Sequence, residues 1–193
     1  IARDCASESS FWMEMQLPDA WDHRFPIWEK EVRRAVYEPL TAFGLTLDFV
    51  GLHEQWDPAK PLIVPDLDLV TASTIDKLAS FCQQGGRLVC FPGVGERDPY
   101  GAHLEVPSPG MLAALFGVSL ADYYPLGTGP ALNTRGAVDL AGTEIEVDVR
   151  HAEVLLISNA EVLGRYMGAP CDGAPAASRR QMGGGQAIYL GAV

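Results

Sequence analysis

The sequence predicts an α/β fold: an open, mainly parallel sheet with helices on both faces and a β-rich C-terminal portion. Three observations predict it. A strand–helix–strand unit is written into residues 61–98. A helix-period stretch at 27–43 lies between two apolar, strand-like runs. From Ala137 onward strand signals replace helical ones.

Residues 61–98 organise the rest. Leu62-Ile63-Val64 is short, apolar and β-branched, as a fully buried strand should be. The next helix has both ends marked. Thr71 or Ser73 offers an N-cap oxygen, and Asp76 stands three residues after Ser73, as in a capping box. Ile75, Leu78, Ala79 and Cys82 form one apolar stripe, which turns Leu78 toward the sheet. Gly85-Gly86 ends the helix, because glycine takes a left-handed conformation without steric cost. Leu88-Val89-Cys90-Phe91 is the second apolar run. Two buried strands joined through a helix imply a parallel pair with a right-handed crossover.

Taken in order, Ile1 to Cys5 is a candidate first strand. Phe11, Trp12, Trp21, Phe25 and Trp28 then crowd a loop-like stretch that holds three of the four tryptophans. The rings either cover one end of the core or form a contact surface, since Trp is enriched at interfaces, so Trp12, Trp21 and Trp28 are the candidate interface residues. In the helix at 27–43, Trp28, Val32, Ala35, Val36, Leu40 and Phe43 share one face, Pro39 kinks the last turn and Gly44 closes it. Leu45 to Val50 reads as the next strand. The link 51–61 is too short for a crossover helix, so the chain passes to the other side of strand 1. Past a loop at 99–110, Met111 to Phe116 is a short helix ended by Gly117, and 125–136 lacks periodicity. Strand signals follow at 145–149, 153–157 and 161–166. A closing hairpin pairs 176–181 with 186–190 around Gly183-Gly184-Gly185.

Composition narrows the function. With 48% hydrophobic and 20% charged residues, a packed core is expected over 193 residues. A net charge of −11 argues against nucleic-acid or anionic-membrane partners, and no apolar run reaches spanning length. Cys5, Cys82, Cys90 and Cys171 are scattered, which suits a reducing cytosol, with Cys82 and Cys90 in apolar patterns. No signal peptide is visible. A start at Ile1 reads as a piece cut from something larger.

The place to look for a nucleophile is the turn after the second strand of the central unit. That turn is Pro92-Gly93-Val94-Gly95, so Pro92 and Gly93 mark a vacant elbow, and Cys90 lies two residues too early. Gly93-x-Gly95 opens like a dinucleotide fingerprint, but Asp98-Pro99 replaces its third glycine and no helix follows. Backbone permissiveness in a tight loop is the better role. His23, His53, His103 and His151 show no metal-ligand spacing. No catalytic residue, cofactor or metal site is expected.

The order of features resembles a known family. The pieces are Ser9-Ser10-Phe11-Trp12, Tyr37-x-x-Leu40-x-x-x-Gly44, Leu47-Asp48-Phe49-Val50 and Leu62-Ile63-Val64-Pro65-Asp66-Leu67. They continue with Phe81-x-x-x-Gly85-Gly86-x-Leu88-Val89, Gly93-x-x-x-x-Asp98 and Pro109-Gly110-x-Leu112-x-x-Leu115-Phe116-Gly117-Val118. The tail adds Glu161-Val162-Leu163-x-x-Tyr166, Gly173-x-Pro175-Ala176 and Gly183-x-Gly185-x-x-x-Tyr189-Leu190-Gly191. In this order, over most of the chain, they resemble the trimerisation domain of family 42 β-galactosidases, which follows a catalytic (β/α)8 barrel. The 11–28 stretch is longer than usual there, and 125–150 matches poorly.

The resemblance implies a flavodoxin-like fold similar to class I glutamine amidotransferases without their catalytic Cys. One trimerisation-type domain is expected over 1–193, an α/β core at 1–118 completed by a β-rich 119–193. It implies barrel and sister-subunit partners in a homotrimer that hydrolyses terminal β-D-galactosides through glutamates this chain lacks. Two alternatives stand beside it: a sugar-binding module using the Trp-rich 11–28 stretch, and an amidotransferase-like hydrolase with a displaced nucleophile at Cys90.

Overall fold

The computed structural model describes residues 2–3, 36–65, 67–125, 135–148, 151–168 and 171–192. Trp12, Trp21 and Trp28, with most of the helix expected at 27–43, lie outside them. The strands are β1 (Ala2–Arg3), β2 (Val50–Gly51), β3 (Leu62–Val64), β4 (Arg87–Cys90), β5 (Val118–Pro125), β6 (Arg135–Leu140), β7 (Thr143–Asp148), β8 (His151–Ile157), β9 (Glu161–Met167), β10 (Pro175–Met182) and β11 (Gly185–Leu190). The helices are α1 (Glu38–Ala42), α2 (Ala72–Gln83) and α3 (Ala113–Phe116), the last entered through a 3₁₀ turn at Gly110–Leu112.

The central unit forms for the reasons its sequence gives. Thr71 caps α2, its hydroxyl accepting from the Thr74 amide at 3.2 Å. The cap is therefore Thr71 and not Ser73, and no acidic residue completes a capping box in the first turn. Leu78 and Cys82 are fully buried, Phe81 joins them, and Ile75 and Ala79 pack at the margin. Gly85 leaves the helix at φ +106°. A Cβ on Gly86 would fall 2.4 Å from the Phe81 ring, so glycine is required there too. β3 and β4 pair in parallel, Leu62 against Leu88 and Val64 against Cys90.

The larger layout differs from expectation. The main sheet has seven strands in the order β3-β4-β11-β10-β9-β6-β7. Only β3–β4 and β4–β11 are parallel; from β11 outward every pair is antiparallel. The sheet is mixed, not mainly parallel, and the described residues do not form a flavodoxin-like layout with helices on both faces. The reason is connectivity. Among the described residues no second crossover helix follows β4, and β9, β10 and β11 follow one another through short connections, which favour antiparallel neighbours.

Smaller elements also shift. The strand expected at 45–50 shrinks to Val50–Gly51, which pairs in parallel with β1 in a separate two-stranded sheet, while β3, expected beside the first strand, pairs with β4. Phe43, placed on the apolar face of its helix, is 84% exposed. Pro39 stands in the first turn of α1, where its missing amide costs no helical bond, and a π-type turn at 36–37 leads into it. β5, not foreseen, pairs antiparallel with β8, with a bulge between Leu120 and Asp122.

The main core lies between α2, α3 and the β3-β4-β11 end of the sheet, and includes Val64, Leu78, Leu88, Leu112, Phe116 and Tyr189. A smaller cluster around Val138, Ala152, Tyr166 and Ala176 sits under the β-rich end. Among the described residues no helix is long and apolar enough to cross a membrane.

Candidate functional site

The elbow after β4 is the natural place to look, at the C-terminal end of two parallel strands. Pro92 and Gly93 are half-buried there, and Gly93 takes φ +77°. The loop is fixed from behind. The Gly95 amide donates to the Leu67 carbonyl at 2.8 Å, and a Cβ on Gly95 would stand 2.5 Å from the Pro109 carbonyl oxygen. Gly93 and Gly95 both take positive φ, the permissive backbone their spacing suggested for a tight loop, and Gly95 also allows a close backbone approach.

Facing the elbow is a carboxylate. Glu153 on β8 is 1% exposed, and its Oε1 accepts the Gly93 amide at 2.9 Å. Its Oε2 accepts the Tyr189 hydroxyl at 2.6 Å. Tyr189 Oη lies 2.9 Å from the buried Ser108 Oγ, which in turn lies 3.3 Å from the Val94 carbonyl. Three separated segments, the loop after β4, β11 and the loop of Ser108, thus meet on one acidic side chain. β8 itself is tied to the end of β11, its Glu153 amide donating to the Gly191 carbonyl at 2.8 Å. Tyr166 of β9 braces the same junction, its hydroxyl 2.9 Å from the Glu153 carbonyl and 2.7 Å from that of Gly191.

Burial dominates the electrostatics. It raises the Glu153 pKa above the ordinary carboxylate value, while hydrogen bonds from Tyr189, the Gly93 amide and Ser108 pull it back down. Burial and the adjacent Glu153 push the Tyr189 phenol well up, so Tyr189 is a donor or acceptor and never a phenolate near neutrality. Burial drives the Tyr166 hydroxyl beyond the range of ordinary titration. Among the described residues no basic side chain is bonded to Glu153.

Cys90, the candidate displaced nucleophile, is fully buried inside β4, and burial holds its thiol pKa well above the usual value. Both circumstances oppose a reactive thiolate. Cys82 is likewise core, its thiol pushed up to about 11 by burial. His53 and His103 are exposed. Ser108, at 2% exposure, bonds to Tyr189 and Val94 rather than to any imidazole. The arrangement is equipped to hold and pass a proton internally.

The sequence pointed to the elbow but not to what faces it. Glu153 read as the polar start of an apolar run, and Ser108 as loop. A faint signal existed in β11, where Gly185, Ala187 and Tyr189 alternate on the buried phase, so that the Tyr189 hydroxyl needs an internal partner.

Comparison with known proteins agrees with this geometry. The family model for the beta-galactosidase trimerisation domain matches residues 7–193. Beta-galactosidase BgaH of Haloferax lucentense is 27% identical over 187 residues, covering 94% of this chain and 26% of the relative. BgaB of a Geobacillus species is 27% identical over 160 residues, 81% of this chain and 23% of the relative. A solved catalytic mutant of Gan42B, a GH42 beta-galactosidase from G. stearothermophilus, superposes with a TM-score of 0.77 at 27% identity. That match covers all of this chain and 27% of the solved one. The chain thus spans about a quarter of the length of the relatives it matches.

Proposed function

The chain belongs to the beta-galactosidase trimerisation domain family, and from that membership we propose that it is a non-catalytic assembly domain of a longer enzyme hydrolysing β-D-galactosides. In this reading residues 1–193 are one domain, the α/β core of 1–118 completed by the β-rich 119–193. Its partners are a catalytic barrel and two sister subunits. The fold follows the class I glutamine amidotransferase layout around the central parallel strands, with antiparallel strands replacing the second half of the sheet. Free thiols at Cys82, Cys90 and Cys171 suit a reducing compartment, here the cytosol.

The observation that carries the reading is the elbow. Where a hydrolase of this layout raises a nucleophile, Pro92 and Gly93 offer none, and the free amide of Gly93 is taken by a carboxylate from the same chain. A donor that would otherwise face a reacting oxygen is spent on internal structure.

Two measurements test it. The purified chain should not hydrolyse a chromogenic β-galactoside, and turnover abolished by replacing one of its own carboxylates overturns the non-catalytic reading. Sedimentation velocity over a concentration series should show self-association that ends at three copies. A chain that stays monomeric throughout, or stops at two copies, overturns the assembly role. A C3 ring uses two different patches of each subunit, so it does not stop at a dimer.

A further inference from the structure

Glu153 is a buried acid that the assembly role does not use. It is bonded to the loop after β4 through Gly93 and to β11 through Tyr189, and from there the contacts continue to Ser108 and Val94. A tyrosine and a serine hydroxyl each carry one proton, so the direction of the whole chain is set by whether Glu153 carries one.

We infer that Glu153, Tyr189 and Ser108 form a one-proton latch between the elbow loop and the sheet. With Glu153 protonated, the acid donates to Tyr189, Tyr189 donates to Ser108, and Ser108 donates to the Val94 carbonyl, 3.3 Å away. Every hydroxyl then has a donor and an acceptor role, and the loop is fastened at Gly93 and at Val94. With Glu153 ionised, Tyr189 donates to the carboxylate and Ser108 turns its proton to Tyr189. The proton is withdrawn from Val94, which is itself fully buried. One proton enters or leaves, no covalent bond changes, and the loop gains or loses an anchor.

The surroundings support the neutral form. The carboxyl is 1% exposed. The groups facing it from each packed element are Tyr189 of β11, Tyr166 of β9 at its backbone, Ser108 and Gly93 of the loops, and half-exposed Tyr123 opposite it on β5. Cys90 of β4 stands behind Tyr189 and keeps its proton. On β10, Ser178 pairs with Tyr189 across the ladder, and its buried hydroxyl has no partner among the described residues. The loop's own Arg97 is engaged by Asp68 at 3.1 Å and by the Gly101 carbonyl. The raised pKa of Glu153 agrees with the geometry. The latch stands apart from the assembly role, and either is able to fail alone.

The test is thermal unfolding of the full chain across mildly acidic to mildly basic pH, with E153Q and S108A beside the wild type, and difference infrared spectroscopy of the carboxyl region. Gln keeps the shape and accepts from Gly93 while donating to Tyr189, and it does not titrate. The wild-type melting temperature should fall, relative to E153Q, as pH rises through the folded-state pKa of Glu153. A protonated-carboxyl band should be present on the acid side and absent in E153Q. In S108A the loss of melting temperature should be larger on the acid side, where Ser108 makes both of its contacts. Parallel pH curves for wild type and E153Q, or no protonated-carboxyl band, overturn the latch. An S108A loss equal at both ends of the range overturns the reversal of the chain.

Discussion

The backbone amide of Gly93 donates to the carboxylate of Glu153 across 2.9 Å, joining the turn after β4 to a strand sixty residues further along. Among the described residues β8 pairs only with β5, in a separate two-stranded sheet. This side-chain bond and the Glu153–Gly191 backbone bond are therefore among the links that tie that ribbon to the parallel strands. Both ends of the contact depend on local conformation: Gly93 has φ +77°, which turns its amide inward, and Glu153 sits on the buried phase of β8.

The sign of the pH dependence follows from burial. Glu153 has a folded-state pKa above its unfolded value. Its contribution is fully present below the unfolded value and is lost as pH rises through the folded one. This is the reverse of the usual acid denaturation. The exposed Asp48–Lys60 pair has the opposite sign on its acid, but both partners are fully solvated and contribute little. E153Q should therefore melt higher than wild type at and above neutrality, and the two should converge on the acid side. E153A should melt lower at every pH, since the Gly93 amide loses its acceptor and the Tyr189 hydroxyl loses its partner at Glu153 in either protonation state. Calorimetry at several pH values distinguishes the three.

Removing one hydroxyl should be costly. Tyr189→Phe leaves the ring packed on Phe116, centroids 5.2 Å apart, but takes the donor from Glu153 Oε2 and the neighbour from Ser108. An unsatisfied buried group costs ~1–3 kcal/mol, so a loss of that order in urea-unfolding free energy is expected. The same variant should move the Glu153 titration upward, because a hydrogen bond favouring the ionised form is gone. A downward move of that titration contradicts the assignment.

Local sequence signals carried the central unit and the closing hairpin, whose two runs pair antiparallel as β10 and β11, and failed at the order in which distant strands meet. Thr71, the Leu78–Cys82 stripe and Gly85 mark α2 with residues a few positions apart, and the structure uses them so. The order of β11 beside β4 is a contact between residues about a hundred positions apart, and no propensity encodes it. β5 was missed because its bulge breaks the alternation after Leu120. The turn after β4 was legible as a tight loop, since Gly93 and Gly95 take the positive φ that glycine permits. Glu153 was not, because an acid at a strand start looks like surface until the fold wraps three segments around it.

Gly95 should resist substitution more than its neighbour two residues earlier. Both have similar positive φ, +72° at Gly95 and +77° at Gly93, so alanine strains the backbone about equally at each. A Cβ on Gly93 meets nothing within 4 Å, whereas on Gly95 it falls 2.5 Å from the Pro109 carbonyl oxygen. Backbone strain alone costs ~1–3 kcal/mol. Gly95→Ala should exceed Gly93→Ala in lost stability by denaturant unfolding, and equal losses contradict the close approach of the two loops.

Leu78 tests the packing that everything else rests on. It is fully exposed to the core and not to water: α2 turns it under the sheet with Phe81 and Cys82, next to Leu88 of β4 in the same cluster. Leu78→Ala removes that volume without touching the hydrogen bonds around Glu153, and buried Leu→Ala replacements cost ~2–5 kcal/mol. Ile75, on the same stripe but only partly buried, should lose less on truncation. Because the elbow leaves directly from β4, a cavity beneath that strand also loosens the loop, so amide hydrogen exchange at Gly93 and Gly95 should quicken in Leu78→Ala and not in Ile75→Ala. A near-neutral melt for Leu78→Ala, with Ile75→Ala the more damaging of the two, places α2 on the wrong face.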